Sequence, residues 1–120
     1  MTVCLSMVSH GQASLGNQFL GDLAHTTSVQ QLIVTANVPE QTPWTAARPT
    51  ALHLQNRHPL GFAANHNQAF GHCTQPFFCV ANPDIRLPAD PFPGLLAHMQ
   101  DPRVGLVAPL VLSPAGGIED

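Results

Sequence analysis

The chain contains no lysine, and its permanent positive charge comes to four arginines, Arg48, Arg57, Arg86 and Arg103, scattered along 120 residues. Only 9% of the residues are charged, against about a quarter in an ordinary domain. Nucleic acid is held by clustered basic side chains that neutralise phosphates, so a chain without a basic stripe has no nucleic acid among its expected partners. Few charges together with 12 prolines point to a face that another segment, or a second copy, should cover.

Other absences narrow the field further. The three cysteines, Cys4, Cys73 and Cys79, have neither CxxC nor finger spacing, which fits reduced, buried thiols better than a disulfide or a zinc site. Among the seven histidines no pair stands at the i, i+4 spacing of a helical metal site, and His66 and His72 fall on different helix faces. There is no GxGxxG, no lysine to complete a phosphate-binding P-loop, and no G-x-S-x-G elbow, which argues against dehydrogenase, NTPase and serine-hydrolase readings. No apolar run is long enough to span a bilayer. The start, Met1 to Leu5, lacks the positive charge of a signal peptide. The expected location is the cytoplasm, and peripheral attachment to the inner face of a membrane is compatible with it.

What is present is a set of short apolar runs between helical stripes. Val3 to Val8, Leu32 to Val34, Ala51 to Leu54 and Phe77 to Asn82 are too short for helices and read as strands. Between them, Ser14 to Ala24 carries Leu15, Phe19, Leu20 and Leu23 at helical spacing, and Ala63 to Gly71 and Phe92 to Met99 also read as helices. Pro39, Pro43 and Pro49 make their stretch a loop, in which Trp44 reads as a packing anchor. Val104 to Leu112 reads as a fifth strand, interrupted by Gly105 and Pro109. Strands alternating with helices predict an α/β domain: a Rossmann-like, mostly parallel sheet with right-handed crossovers and helices on both faces.

In this arrangement Ser9-His10, Asn37, Asn56 and Asn82-Pro83-Asp84 all fall just past the C-terminal ends of their strands, where open α/β sheets bind ligands. The run Phe77 to Ala81 reads as a buried strand that delivers Asn82 and Asp84 into one turn. Two oxygen donors placed there suit a hard cation carrying a phosphate, although Asn and Asp in a turn also satisfy nearby backbone. In the segment Asn56 to Phe70, Gly61 reads as permitting a tight turn and Phe62 as stapling it to the core. Asn65 and Asn67, poor choices for a helix interior, read as capping groups or ligand contacts.

These two segments, in this order, resemble the family 2 glycosyltransferases of the GT-A fold, in particular the rhamnosyltransferase-like branch. Asp101-Pro102-Arg103-Val104-Gly105-Leu106-Val107-Ala108-Pro109 resembles a further segment of that family, so the likeness covers nearly the whole chain. It implies a three-layer nucleotide-diphospho-sugar transferase fold, with residues 1–120 as the nucleotide-sugar-binding portion. The implied reaction is inverting transfer of a sugar from a UDP- or dTDP-sugar to a carbohydrate or lipid-linked acceptor. The resemblance also implies Mg²⁺ or Mn²⁺ held by Asp84 and Asn82, with nucleotide-sugar contacts from Ser9, His10, Asn37, Asn56, Gly61, Asn67, Asn82 and Asp84. It supplies no catalytic base, because the family's acceptor-binding half should lie beyond residue 120 and Glu119-Asp120 follow the expected fifth strand too closely. One departure stands out: the second strand of the family presents an aspartate to the nucleotide, where this chain has Ala36-Asn37. The alternative from another class is a non-catalytic nucleotide-binding or interaction remnant of such an enzyme.

Overall fold

The computed structural model describes residues 1–45 and 50–118. Arg48, Pro49, Glu119 and Asp120, which entered the sequence reading, lie outside the described residues. The chain forms two compact units, Met1–Asp90 and Pro91–Asp120.

The first unit runs β1 (Val3–Ser9), α1 (Ala13–Leu23), β2 (Val29–Ala36), β3 (Ala51–Gln55), α2 (Phe62–Phe70) and β4 (Phe77–Ala81). The four strands form one parallel sheet in the order β3-β2-β1-β4. β1 and β2 are central because their sequences are apolar on both faces, as a strand covered from two sides requires. Cys4, Leu32, Ile33 and Val34 have no exposed surface. β2 begins at Val29, ahead of its apolar run, because Val29 and Gln31 still pair with Val3 and Cys4 of β1.

β4 corrects the sequence reading. It was expected to be buried, yet Phe77, Phe78 and Cys79 are half-buried and Val80 is 47% exposed. Its one ladder partner among the described residues is β1, so it is an edge strand whose other long side lacks a neighbour. Aromatic and β-branched composition favours extended backbone wherever the strand sits, and does not distinguish edge from centre.

α1 buries Ala13, Gly16, Phe19, Leu20 and Leu23, one stripe at spacings of three and four. Gly16 comes so close to its neighbours that a Cβ there would stand 2.8 Å from Trp44 Cζ3 and 3.1 Å from Met7 Cε. α2 buries Asn65, His66 and Ala69. Ala69 joins Cys4 and Ile33 in a core cluster, against which Leu54, Cys73 and Phe78 pack. Burial, followed by the neighbouring thiols of Cys73 and Cys79, pushes the Cys4 thiol up to about 12. All three cysteines are free. Phe62 does not staple its turn to the core: it is 63% exposed, and its ring meets the ring of His66 edge-on at 4.7 Å.

The second unit holds α3 (Phe92–His98), which buries Phe92 and Leu96. The fifth strand expected over Val104 to Leu112 does not form. The segment is irregular up to an isolated antiparallel bridge between Leu112 and Ile118, with Leu106 87% and Leu110 69% exposed. Apolar character alone does not make a strand. It needs a ladder partner, and Gly105 and Pro109 remove backbone preference and one donor from this run. Among the described residues no helix is long and apolar enough to cross a membrane.

Candidate functional site

The carboxyl ends of β1, β2 and β4 meet the start of α2 around a cleft of about 290 Å³. From the ends of the strands come Val8, His10, Asn37, Asn82, Pro83 and Asp84; Gln12 lies ahead of α1; Leu60, Phe62, Asn65 and His66 come from the turn and first helical residues after β3. The sheet ladder fixes two of the asparagines. Asn37 N–H donates to Ser9 O at 2.8 Å and Asn56 N–H to Ala36 O at 3.0 Å, each extending the ladder one step past its strand.

Asn37, Asn56 and Asn65 form a side-chain network that pins the turn 56–61. Asn56 Nδ2 donates to Asn37 Oδ1 at 2.8 Å and to Asn65 Oδ1 at 2.7 Å. Asn37 clamps the backbone of Leu60 with both ends of its amide: Oδ1 accepts from Leu60 N–H at 2.8 Å, and Nδ2 donates to Leu60 O at 3.0 Å. That pairing fixes which end of the amide is nitrogen. The Nδ2 of Asn37 also lies 3.0 Å from Nδ1 of His10, so Nδ1 is the acceptor and the neutral ring carries its proton on Nε2. His10, exposed at the cleft, therefore presents an N–H donor to a ligand.

On the inner wall, Ser6 Oγ and His66 Nδ1 are hydrogen-bonded at 2.9 Å, both residues buried. His66 Nε2 is buried and has no hydrogen-bond partner. Burial holds the His66 imidazole below its ordinary value, which favours the neutral ring.

A carboxylate that the sequence did not single out organises the neighbouring turn. Glu40, from the loop after β2, accepts from Ser9 Oγ at 2.9 Å, from Gly11 N–H at 2.8 Å and from Ala13 N–H at 3.1 Å. Gly11 stands at φ +76°, a left-handed conformation that glycine adopts without strain. Glu40 thus satisfies orphan donors at the start of α1, where the helix dipole favours negative charge. Ser9 Oγ, which also accepts from Gln12 N–H at 3.0 Å, is fully engaged.

The expected site residues divide accordingly. His10, Asn37, Asn82 and Asp84 line one cleft. Ser9 is buried beneath it and bound to Glu40. Asn56 lies behind it in the amide network. Gly61 caps α2 at φ −73°, ordinary extended backbone open to any residue, so the tight-turn reading of this glycine does not apply. Asn67 is exposed on α2 and does not line the cleft. Sequence reasoning weighed His66 only as a metal ligand. Its position three residues before Ala69, on one helix face, was the signal that placed it against the sheet.

Asn82 and Asp84 are both exposed and flank the buried Pro83. One carboxylate and one amide oxygen fit Mg²⁺ or Mn²⁺ if ligand phosphates and water complete the shell, as these ions commonly require. Among the described residues no group of three or more His, Cys, Asp or Glu could hold a metal ion by itself. No protein-family model matches the chain, and no curated protein or solved structure matches it either.

Proposed function

We propose that the cleft binds a nucleotide-diphosphate sugar and that the chain is the donor-binding part of an inverting glycosyltransferase of the GT-A type. The observation that carries this reading is the convergence of Asp84, Asn82 and His10 on one cleft at the carboxyl ends of a parallel sheet. Ligand crevices in open α/β sheets form there. The packing of the helices is in keeping with a three-layer architecture. Ser6 is bonded to His66 of α2 while its neighbour Met7 stands against Gly16 of α1, and successive residues of a strand point to opposite faces.

In this reading Asp84 and Asn82 would hold Mg²⁺ or Mn²⁺, and the ion would supply counter-charge to the diphosphate. His10 donates from Nε2 to a ligand oxygen, and the Asn37 clamp keeps that proton in place. Calorimetric titration with UDP and dTDP, with and without Mn²⁺, tests it. Binding should require the cation and weaken about tenfold or more, at least 1.4 kcal/mol, in Asp84→Asn. Equal binding by both proteins would remove Asp84 from the site. Transfer or hydrolysis of a UDP-sugar would distinguish a transferase from a nucleotide-binding module.

A further inference from the structure

We infer that the inner end of the cleft takes the heterocyclic base of the ligand, with the polar edge of the base hydrogen-bonded to Nε2 of His66. This rests on the nucleotide reading above and adds an orientation to it: base inward, diphosphate outward at Asp84. The polar groups around the cleft are either spent or unspent, and the division decides the matter.

Asn37 sits past β2 and lines the cleft, but its amide is spent. It bonds Leu60 N–H, Leu60 O, Asn56 and His10. Asn65 is spent as well, on Asn56 and on Leu60 O. His66 is the opposite case. It is 5% exposed, Ser6 fixes Nδ1, and Nε2 has no partner. Folded proteins leave few buried polar atoms unpaired, and one in the wall of a cleft is an address for a ligand atom.

The surroundings define that ligand. Val8, Leu60, Phe62 and Pro83 are the apolar residues of the cleft lining, and no arginine lines the cleft among the described residues. A planar ring with a polar edge has both an apolar slot and a hydrogen-bond partner. Phe62, 63% exposed and in edge contact with His66, can tilt at little cost in packing. Its ring, beside His66 in the cleft lining, offers a face for stacking.

The test compares UDP with inorganic diphosphate, each with Mn²⁺, on the full chain by calorimetry. The wild type should bind UDP about tenfold or more tightly than diphosphate, a margin of the size that base–aromatic stacking supplies. Phe62→Ala and His66→Phe should bring the two ligands to within about threefold and leave diphosphate binding unchanged. His66→Phe strips Ser6 of its partner and risks the fold; Phe62 is exposed and carries no such risk. The ¹⁵N resonance of His66 Nε2 should move with UDP and stay with diphosphate. Equal wild-type affinity for the two ligands, or a ratio that Phe62→Ala does not change, overturns the base position and leaves the diphosphate site standing. Failure of both ligands to bind overturns the nucleotide reading, and this inference with it.

Discussion

Asp22, near the end of α1, holds Arg86, five residues beyond β4, in a two-pronged ion pair. Arg86 Nε donates to Asp22 Oδ2 at 2.8 Å and Nη2 to Oδ1 at 3.0 Å. Asp22 Oδ2 also accepts from Leu87 N–H at 2.9 Å, and Arg86 Nη1 reaches Gln18 Oε1 at 3.2 Å. The segment carrying Asn82 and Asp84 is therefore fixed at one end by the β4 ladder and at the other by α1. Paired, charge-assisted bonds of this kind add directional specificity as well as energy.

Acid should release this tether. The hydrogen bond from Arg86, helped by Leu87 N–H and the guanidinium charge against a smaller opposing effect of burial, holds the Asp22 carboxyl below its ordinary 3.8. A depressed carboxyl contributes stability that is complete above its unfolded value and is lost as pH falls through its folded value. Arg86 is 62% exposed, so solvent screens the pair and the contribution is modest. Asp22→Asn should lower Tm at neutral pH, and the gap to the wild type should close below the ordinary value of 3.8. Thermal melts across acid to neutral pH check this. A gap independent of pH would mean that shape, not charge, holds the segment.

Thr35 gives a prediction of the opposite sign. Its Oγ1 is buried in β2 without a hydrogen-bond partner, and an unpaired buried hydroxyl forfeits its hydration. Thr35→Val replaces it with an isosteric methyl group and should stabilise the protein by about 1 kcal/mol. Denaturant unfolding with an unchanged m-value reads this out. Destabilisation would show that the hydroxyl is satisfied in solution.

Gly16 tests the packing of α1. Its missing side chain admits Trp44 and Met7, and a Cβ 2.8 Å from Trp44 Cζ3 must push that ring away. Gly16→Ala should cost about 1–3 kcal/mol, the range for overpacking a close contact. Helix propensity favours Ala by about 1 kcal/mol, so the net loss falls toward the lower end. Trp44 is the one tryptophan in the chain, so its emission should shift to the red as the ring moves into solvent. Unchanged emission would refute the contact.

The sequence revealed the elements better than the site. Val3 to Val8 and Leu32 to Val34 announced themselves as strands because central parallel strands are apolar on both faces, a local property. The same criterion misled at Val104 to Leu112, because whether an apolar run becomes a strand depends on finding a ladder partner elsewhere in the chain. The cleft was legible only as an edge: residues just past strands converge there in any parallel sheet. Which of them stay free for a ligand was not legible. Glu40 reaching Ser9, and Asn56 joining Asn37 to Asn65, are long-range side-chain bonds that leave no spacing in the sequence.

Asn37 gives the most direct test of the network. The Asn37 amide serves two opposite needs at once. It accepts from Leu60 N–H and donates to Leu60 O and to His10 Nδ1. A carboxylate meets only the first. In Asn37→Asp an anionic oxygen would face the carbonyl oxygen of Leu60 and the lone pair of His10 Nδ1, where an N–H now stands. Losing a buried donor and setting acceptor against acceptor should cost about 1–3 kcal/mol. It should also free the turn 56–61, since Leu60 is the point at which that turn is held. Hydrogen exchange at the Leu60 amide should rise, and the UDP affinity proposed above should fall as His10 loses its fixed position. A variant as stable as the wild type, with Leu60 still protected, would show that an aspartate fits here and that the amide network does not set the choice of asparagine.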